Sequence, residues 1–256
     1  MKLIQSRDNA FFKALKRLAE SGRERRKTGQ TLLDGVHLVE SYEAAFGPVE
    51  TLVVAESALA GGEVASFVES RETVVLADAL MRDLGLVDTP SGLLALIKTP
   101  RANVAVNRKK DAILIDGVQD PGNVGTLLRT AAAAGIGQAL LSPGCASAWS
   151  PKVLRAGQGA HFALAIHEEA DLAGFMATYE GITAVTCLDG ATSLYTARLD
   201  DPIAWVFGAE GLGVRAELID AASLRIKIPM PGAVESLNVA AAAAVCLFEM
   251  VRRRLV

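Results

Sequence analysis

From Asp111 to the carboxyl end the chain alternates apolar runs of four to six residues with helical stretches, and this alternation limits the fold more than any other feature. The runs are Ala112–Ile115, Gln138–Leu141, Ala163–His167, Thr183–Leu188, Ala204–Phe207 and Leu224–Ile228. Val124–Ala134, stopped by Gly135, and the alanine-rich Val239–Arg254 are the clearest helices between and after them. Nearly uninterrupted apolar strands separated by helices predict a parallel sheet covered on both faces. Ligands of such sheets bind beyond the carboxyl ends of the strands.

The first hundred residues read differently. Thr31-Leu32-Leu33, Thr51–Ala55, Thr73–Ala77 and Gly92–Lys98 are β-rich, with helices over Gly35–Phe46, closed by Gly47-Pro48, and Glu63–Ser70. Residues 101–110, RANVAVNRKK, are polar and basic, as a linker would be. The expected organisation is a basic helical arm over 1–27, a small α/β domain over 28–100, a linker over 101–110 and the sheet domain over 111–256.

Composition removes several classes. Hydrophobic residues make up 51% of the 256, without low-complexity tracts, so the chain is globular and not disordered. The longest apolar run, Val239–Phe248, is too short for the roughly 20 residues that cross a membrane. Charges interrupt MKLIQSRDNAFFKALKRL where a secretory signal would be apolar, so the expectation is a mature, cytoplasmic protein. Cys145, Cys187 and Cys246 form no C-x-x-C pair and read as small buried apolar residues. With His37, His161 and His167 scattered, no metal is expected.

The net charge of −3 hides an uneven distribution. Residues 1–27 hold nine Lys/Arg against Asp8, Glu20 and Glu24, a net +6 that leaves −9 for the rest. A basic arm on an acidic body suits a polyanion partner. The competing reading is a solvated amphipathic helix, since Phe11, Leu15 and Leu18 recur at helical spacing between cations.

Chemistry-bearing residues collect at three strand ends. Asp116-Gly117-Val118-Gln119-Asp120-Pro121-Gly122-Asn123-Val124-Gly125 leads into a helix carrying Arg129. Gly208-Ala209-Glu210-Gly211-Leu212-Gly213 ends an apolar strand with glycines around one carboxylate. Ile228-Pro229-Met230-Pro231-Gly232 is followed by Ser236-Leu237-Asn238 at the start of the alanine helix. Glycines let a flat ligand approach the backbone, whose N–H and C=O groups can read the edge of an adenine ring. Each polar residue also has a plainer reading: Ser236 and Asn238 as helix caps, Asn123 as a turn residue, Arg129 as a solvent-facing side chain. Glu210 is harder to explain structurally, because a carboxylate between glycines at the end of a buried strand adds little packing. There is no G-x-x-x-x-G-K-[ST] loop, no dinucleotide fingerprint and no G-x-S-x-G elbow, which weakens NTPase, dehydrogenase and serine hydrolase readings.

The pattern Asp120-Pro121-x-Asn123-x-Gly125-x-x-x-Arg129-Thr130-Ala131, then Gly208-x-Glu210-Gly211-x-Gly213, then Ile228-Pro229-Met230-x-Gly232-x-x-x-Ser236-Leu237-Asn238-Val239 resembles the three ordered motifs of the SpoU/TrmH-type RNA ribose 2′-O-methyltransferases of the SPOUT superfamily. Ser150–Ala156 is similar to a segment these enzymes carry between the first two motifs, with Gly157 where relatives often have serine. Leu33–Glu40 and Thr89–Gly92 resemble the family's substrate-binding domain, an α/β sandwich like certain RNA-binding ribosomal proteins. The resemblance implies an α/β fold with a trefoil-knotted parallel-sheet methyltransferase domain, and a homodimer formed through it with the active site completed near the subunit interface. It implies S-adenosylmethionine as cofactor, contacted by Gly208, Ile228, Met230 and Leu237, and a catalytic set of Arg129, Asn123, Glu210, Ser236 and Asn238.

The reaction so implied is methyl transfer to a ribose 2′-hydroxyl, aligned within about 3–3.5 Å of the methyl carbon and needing no metal. Guanidinium groups hold their protons in proteins, so Arg129 is expected to position a phosphate and stabilise the developing alkoxide instead of acting as a base. Phosphate contacts then give the arm a purpose, with Arg7, Lys13, Arg25 and Arg26 as the RNA-binding candidates and Arg23 and Lys27 beside them. Ribosomal RNA is the favoured substrate; the alternatives are a tRNA 2′-O-methyltransferase and a catalytically silent RNA-binding member of the fold.

Overall fold

The computed structural model describes residues 2–86, 90–100, 105–187, 191–234 and 236–255. Thr89, residues 101–104 of the expected linker, and Leu188 at the end of an expected strand lie outside the described residues. The chain forms two compact units, Met1–Pro100 with Trp149–Phe162, and Arg101–Ala148 with Ala163–Val256.

In the first unit, β1 (Lys2–Ile4), β2 (Gln30–Asp34), β3 (Thr51–Ala55), β4 (Thr73–Leu76) and β5 (Leu93–Lys98) form a mixed sheet in the order β1-β4-β3-β5-β2. The helices are α1 (Ala10–Glu20), α2 (Gly22–Thr28), α3 (Val36–Phe46), α4 (Gly62–Val68) and α5 (Asp78–Asp83). The basic arm is part of this unit. Asn9 caps α1 by accepting from the Phe11 and Phe12 amides, and Phe12, Leu15 and Leu18 are buried against Leu32, Val53 and Leu76. The expected apolar stripe began at Phe11; the buried stripe begins one residue later, and Phe11 is only partly covered. Burying such side chains contributes about 1.5–3 kcal/mol each, enough to seat a short helix on the sheet.

Although it lies between strands of the second unit in sequence, Trp149–Phe162 groups with the first. It carries α6 (Pro151–Gly157), which packs on β2. Thr31 Oγ1 donates to the Trp149 carbonyl at 2.7 Å, and Arg155 Nη1 lies 3.1 Å from Asp34 Oδ1. Phe162 meets Tyr42 and Phe46 edge-on.

The second unit holds a seven-stranded sheet whose paired strands are all parallel. Its strands are β6 (Ala112–Asp116), β7 (Gln138–Leu141), β8 (Ala165–His167), β9 (Ile182–Thr186), β10 (Thr192–Ser193), β11 (Ile203–Gly208) and β12 (Leu224–Lys227), in the order β10-β12-β9-β11-β6-β7-β8. Around it are α7 (Pro121–Ala133), α8 (Leu172–Ala177), α9 (Ala216–Ala221) and α10 (Val239–Leu255). Every residue of β6 and β11 is buried. Ala204 and Val206 join Leu114, Phe175 and Leu218 in one core. On the opposite face, Trp205 Nε1 donates to Met250 Sδ of α10 at 3.4 Å. That two-sided burial is why these strands lack polar alternation. The carboxyl-terminal helix is tied back to the start of β6 by a two-pronged contact of Arg254 with Asp111, at 2.6 and 3.2 Å.

Candidate active site

The three polar loops all belong to the second unit, and each has a local reason for its shape. Pro121 opens α7, where its missing N–H costs nothing, and Asp120 Oδ1 caps the helix by accepting from the Asn123 amide at 2.7 Å. Gly208 ends β11 under a returning backbone. A Cβ there would stand 2.1 Å from the Gly213 carbonyl carbon and 2.2 Å from the Val214 nitrogen, so no side chain fits. Gly211 and Gly213 sit at φ +85° and +70°, and the Gly213 amide closes the loop onto the Ala209 carbonyl at 2.8 Å. Asn238 precedes α10, and its Oδ1 accepts from the Ala240 and Ala241 amides at 2.9 and 3.2 Å.

These loops meet in one hydrogen-bonded cluster. Asn123 Nδ2 donates to Glu210 Oε1 at 2.8 Å, and Asn238 Nδ2 donates to the same oxygen at 2.7 Å. Asn238 Nδ2 also donates to Asn123 Oδ1 at 3.0 Å. The capping role and the site role of Asn238 are thus divided between the two ends of one carboxamide. Its oxygen holds the helix and its nitrogen holds the cluster.

Beside the cluster opens a cavity of about 660 Å³, inside the range of small-molecule and cofactor sites. The glycine loop forms one wall, and Ile228, Met230 and Leu237 supply apolar surface. The four expected cofactor residues, Gly208, Ile228, Met230 and Leu237, all line it, together with Glu210, Ser236 and Asn238 of the expected catalytic set. Bare backbone and aliphatic side chains in one lining suit a flat heteroaromatic ring, and the charged lining residues are one carboxylate, Glu210, and one cation, Lys227. Asn123 joins through its bonds to Glu210 and Asn238, whereas Arg129 does not line the cavity. Arg129 is exposed on α7, without a hydrogen bond or ion pair among the described residues. Six residues of helix turn it about 120° from Asn123.

The arm residues separate in the first unit. Arg25 was expected to meet RNA phosphates, but it is buried. Its Nη1 donates to the Leu18 and Ala19 carbonyls at 2.8 and 3.2 Å, closing the end of α1. Arg7 pairs with Asp83 and Lys13 with Asp8, both cations remaining largely exposed. Arg23 and Arg26 are exposed and without an ion pair among the described residues. Cys246 is buried, its thiol pushed up to about 12 by desolvation, whereas Cys145 and Cys187 are only partly covered, contrary to expectation. Cys187 lines the cavity, and Cys145 Sγ donates to the Ile115 carbonyl. Among the described residues no group of three or more His, Cys, Asp or Glu is placed to hold a metal, and no helix is long and apolar enough to cross a membrane.

Sequence reasoning gave Asp116 no role beyond opening the first polar loop and passed over Ser142 and Arg215; the three join at the base of the glycine loop. The one available signal was an acid closing a five-residue apolar strand; its partner stands 99 residues away.

Comparison with known proteins points to one family. The SpoU rRNA Methylase family matches residues 111–248, and the MRM3-like substrate binding domain matches residues 9–95. Over 253 residues the chain is 32% identical to the 23S rRNA (guanosine(2553)-2′-O)-methyltransferase RlmP of Bacillus subtilis (strain 168), covering 98% of this chain and 99% of that protein. A crystal structure of an RNA 2′-O ribose methyltransferase superposes with a TM-score of 0.84 at 28% identity, covering 99% of this chain and 100% of the other. The AdoMet-bound rRNA methyltransferase from Sinorhizobium meliloti gives 0.80 at 26% identity, covering 100% and 98%. With its three motifs joined in one hydrogen-bonded cluster beside the cavity and the family match running through all of them, the chain belongs to the SpoU rRNA methylase family.

Proposed function

We propose that this protein methylates a ribose 2′-hydroxyl of ribosomal RNA using S-adenosylmethionine. The observation that carries the reading is the Asn123–Glu210–Asn238 cluster beside the glycine-walled cavity, in a chain alike over nearly its whole length to a ribosomal RNA 2′-O-methyltransferase. When bound, S-adenosylmethionine supplies an electrophilic methyl group on a sulfonium. The cavity residues Gly208, Ile228, Met230 and Leu237 would hold it. Glu210 locks the two asparagine amides beside the cavity, where with Ser236 they orient the ribose. Arg129 is the electrostatic residue, holding a neighbouring phosphate and stabilising the alkoxide as it develops.

The remaining features follow from the same reading. The segment after β12 passes the glycine loop and returns as α10 against α7 and β11, a path that suits a trefoil knot. The exposure of Arg129 outside the cavity of its own chain supports a homodimer in which the site is completed at the interface. The first unit holds RNA by backbone and shape, through Arg7, Lys13, Arg23 and Arg26, and a cytoplasmic location follows from a ribosomal RNA substrate. Tritium transfer from labelled cofactor to ribosomal RNA tests the activity, with transfer RNA as the competing substrate. Incorporation into ribosomal RNA that blocks alkaline cleavage at one nucleotide is the expected result. Label in transfer RNA alone would favour the tRNA reading, and no label in either would leave an RNA-binding protein without catalysis.

A further inference from the structure

The carboxyl end of β6 carries a buried charge for which methyl transfer has no use. The Asp116 side chain is 2% exposed. Its Oδ1 accepts from Arg215 Nε at 2.9 Å and from Ser142 Oγ at 3.1 Å, and its Oδ2 accepts from the Arg215 amide at 3.0 Å. Ser142 Oγ in turn accepts from the Gly117 amide at 3.0 Å. A buried carboxylate is costly unless paired and fully hydrogen-bonded, and here both oxygens are used. Two of its three bonds go to one residue, Arg215, two positions beyond the glycine loop.

That placement matters because, beside the burial of Val214 in the core, the loop has few side chains to hold its far end. At its entrance Gly208 pairs with Asp116 in the β11–β6 ladder, and the Gly213–Ala209 bond closes its neck. Gly208, Gly211 and Gly213 carry no side chains to pack, and Leu212 at its tip is 90% exposed. Glycine-rich backbone loses more freedom on ordering than any other. Asp116 therefore holds both ends of the loop, the entrance through its own backbone and the exit through Arg215.

We propose that Asp116 and Arg215, steadied by Ser142, form a latch that holds the Gly208–Gly213 loop in its cofactor-receiving shape. They are positioning residues, acting through the loop, and the inference rests on the reading of the cavity as the S-adenosylmethionine site. A preorganised loop spares the cofactor the ordering cost, so releasing the latch weakens binding without changing the barrier once the cofactor is bound.

The test compares wild type with Arg215→Ala, Arg215→Lys and Asp116→Asn. S-adenosylmethionine binding is measured by calorimetry, kcat and KM for the cofactor by methyl transfer, and amide exchange over 209–215 in ligand-free protein. Arg215→Ala is expected to raise Kd and KM about tenfold, with kcat within about twofold, and to lose exchange protection at the backbone amides of positions 213 and 215. Arg215→Lys, which keeps the charge, is expected to recover part of the affinity. Asp116→Asn repeats the effect, and if it fails to fold the two Arg215 variants decide. Unchanged Kd and exchange in Arg215→Ala, or a fall in kcat at unchanged Kd, would overturn the latch. Wild-type protein that binds no S-adenosylmethionine would overturn the cofactor reading instead, a failure visible before any variant is made.

Discussion

At the scale of single residues, the site depends on atoms that do two things at once. Asn238 caps α10 with its oxygen and feeds the Glu210 cluster with its nitrogen. In Asn238→Asp an oxygen still caps the helix, but a second carboxylate faces Glu210 where a hydrogen bond of 2.7 Å had been. Methyl transfer is expected to fall about a hundredfold or more while the melting temperature hardly changes, with partial recovery at acid pH as the two carboxyls share a proton. Arg129→Ala probes the opposite case, an exposed side chain with no structural partner among the described residues. Calorimetry is expected to show cofactor binding unchanged and the tritium assay to show no transfer. Substantial turnover would remove Arg129 from the mechanism.

At the scale of elements, α2 shows how a helix sorts its charges. Arg25 turns inward to close α1, and Arg23 and Arg26 face out. Reversing those two to glutamate is expected to weaken RNA binding and to reduce the slope of log affinity against log salt by about one to two, as loss of two phosphate contacts requires. Filter binding across a salt series measures it, and an unchanged slope would leave α2 a solvated helix. The end of α10 depends on a different charge. Arg252 and Arg253 hold the Glu249 carboxyl down at about 2, and Arg253 reaches on to the Leu194 and Ala197 carbonyls. Because the folded carboxyl lies below its ordinary value of 4.5, its contribution is complete above about pH 4.5 and is lost as pH falls towards 2. Glu249→Gln is expected to lower the melting temperature at neutral pH and to flatten the loss of stability between those two values.

At the scale of the whole molecule, an arginine outside its own chain's cavity and a homodimeric reading lead to a mixing experiment. Arg129→Ala and Asn238→Asp proteins are each expected to be inactive alone. Unfolded together and refolded, they should regain about a quarter of wild-type activity, since half the dimers are mixed and half of their sites then combine an intact cavity with an intact Arg129 from the partner. No recovery, with mixed dimers confirmed by mass, would mean that Arg129 serves its own cavity or none.

Most of the framework was legible in one dimension, because strands and helices are specified by neighbours within a few residues. Thr51–Ala55 and Gln138–Leu141 fall where their apolar runs lie, and Gly35–Phe46 stops at its glycine. The three site loops were legible for the same reason, each being a local strand-to-helix passage rich in glycine, proline and asparagine. What those loops do together was not, since the bonds among Asn123, Glu210 and Asn238 span 28 to 115 residues of chain. Nor could residue types tell Arg25 from Arg26, because one step along a helix is about 100° of rotation and the sheet beneath decides which side is inside. The sequence by itself determined the elements and the chemistry at their ends. Only the tertiary structure decided which ends adjoin, that Asp116 meets Arg215, and that Arg129 stands apart, because contacts between strand ends are set by strand order in the sheet and not by order in the chain.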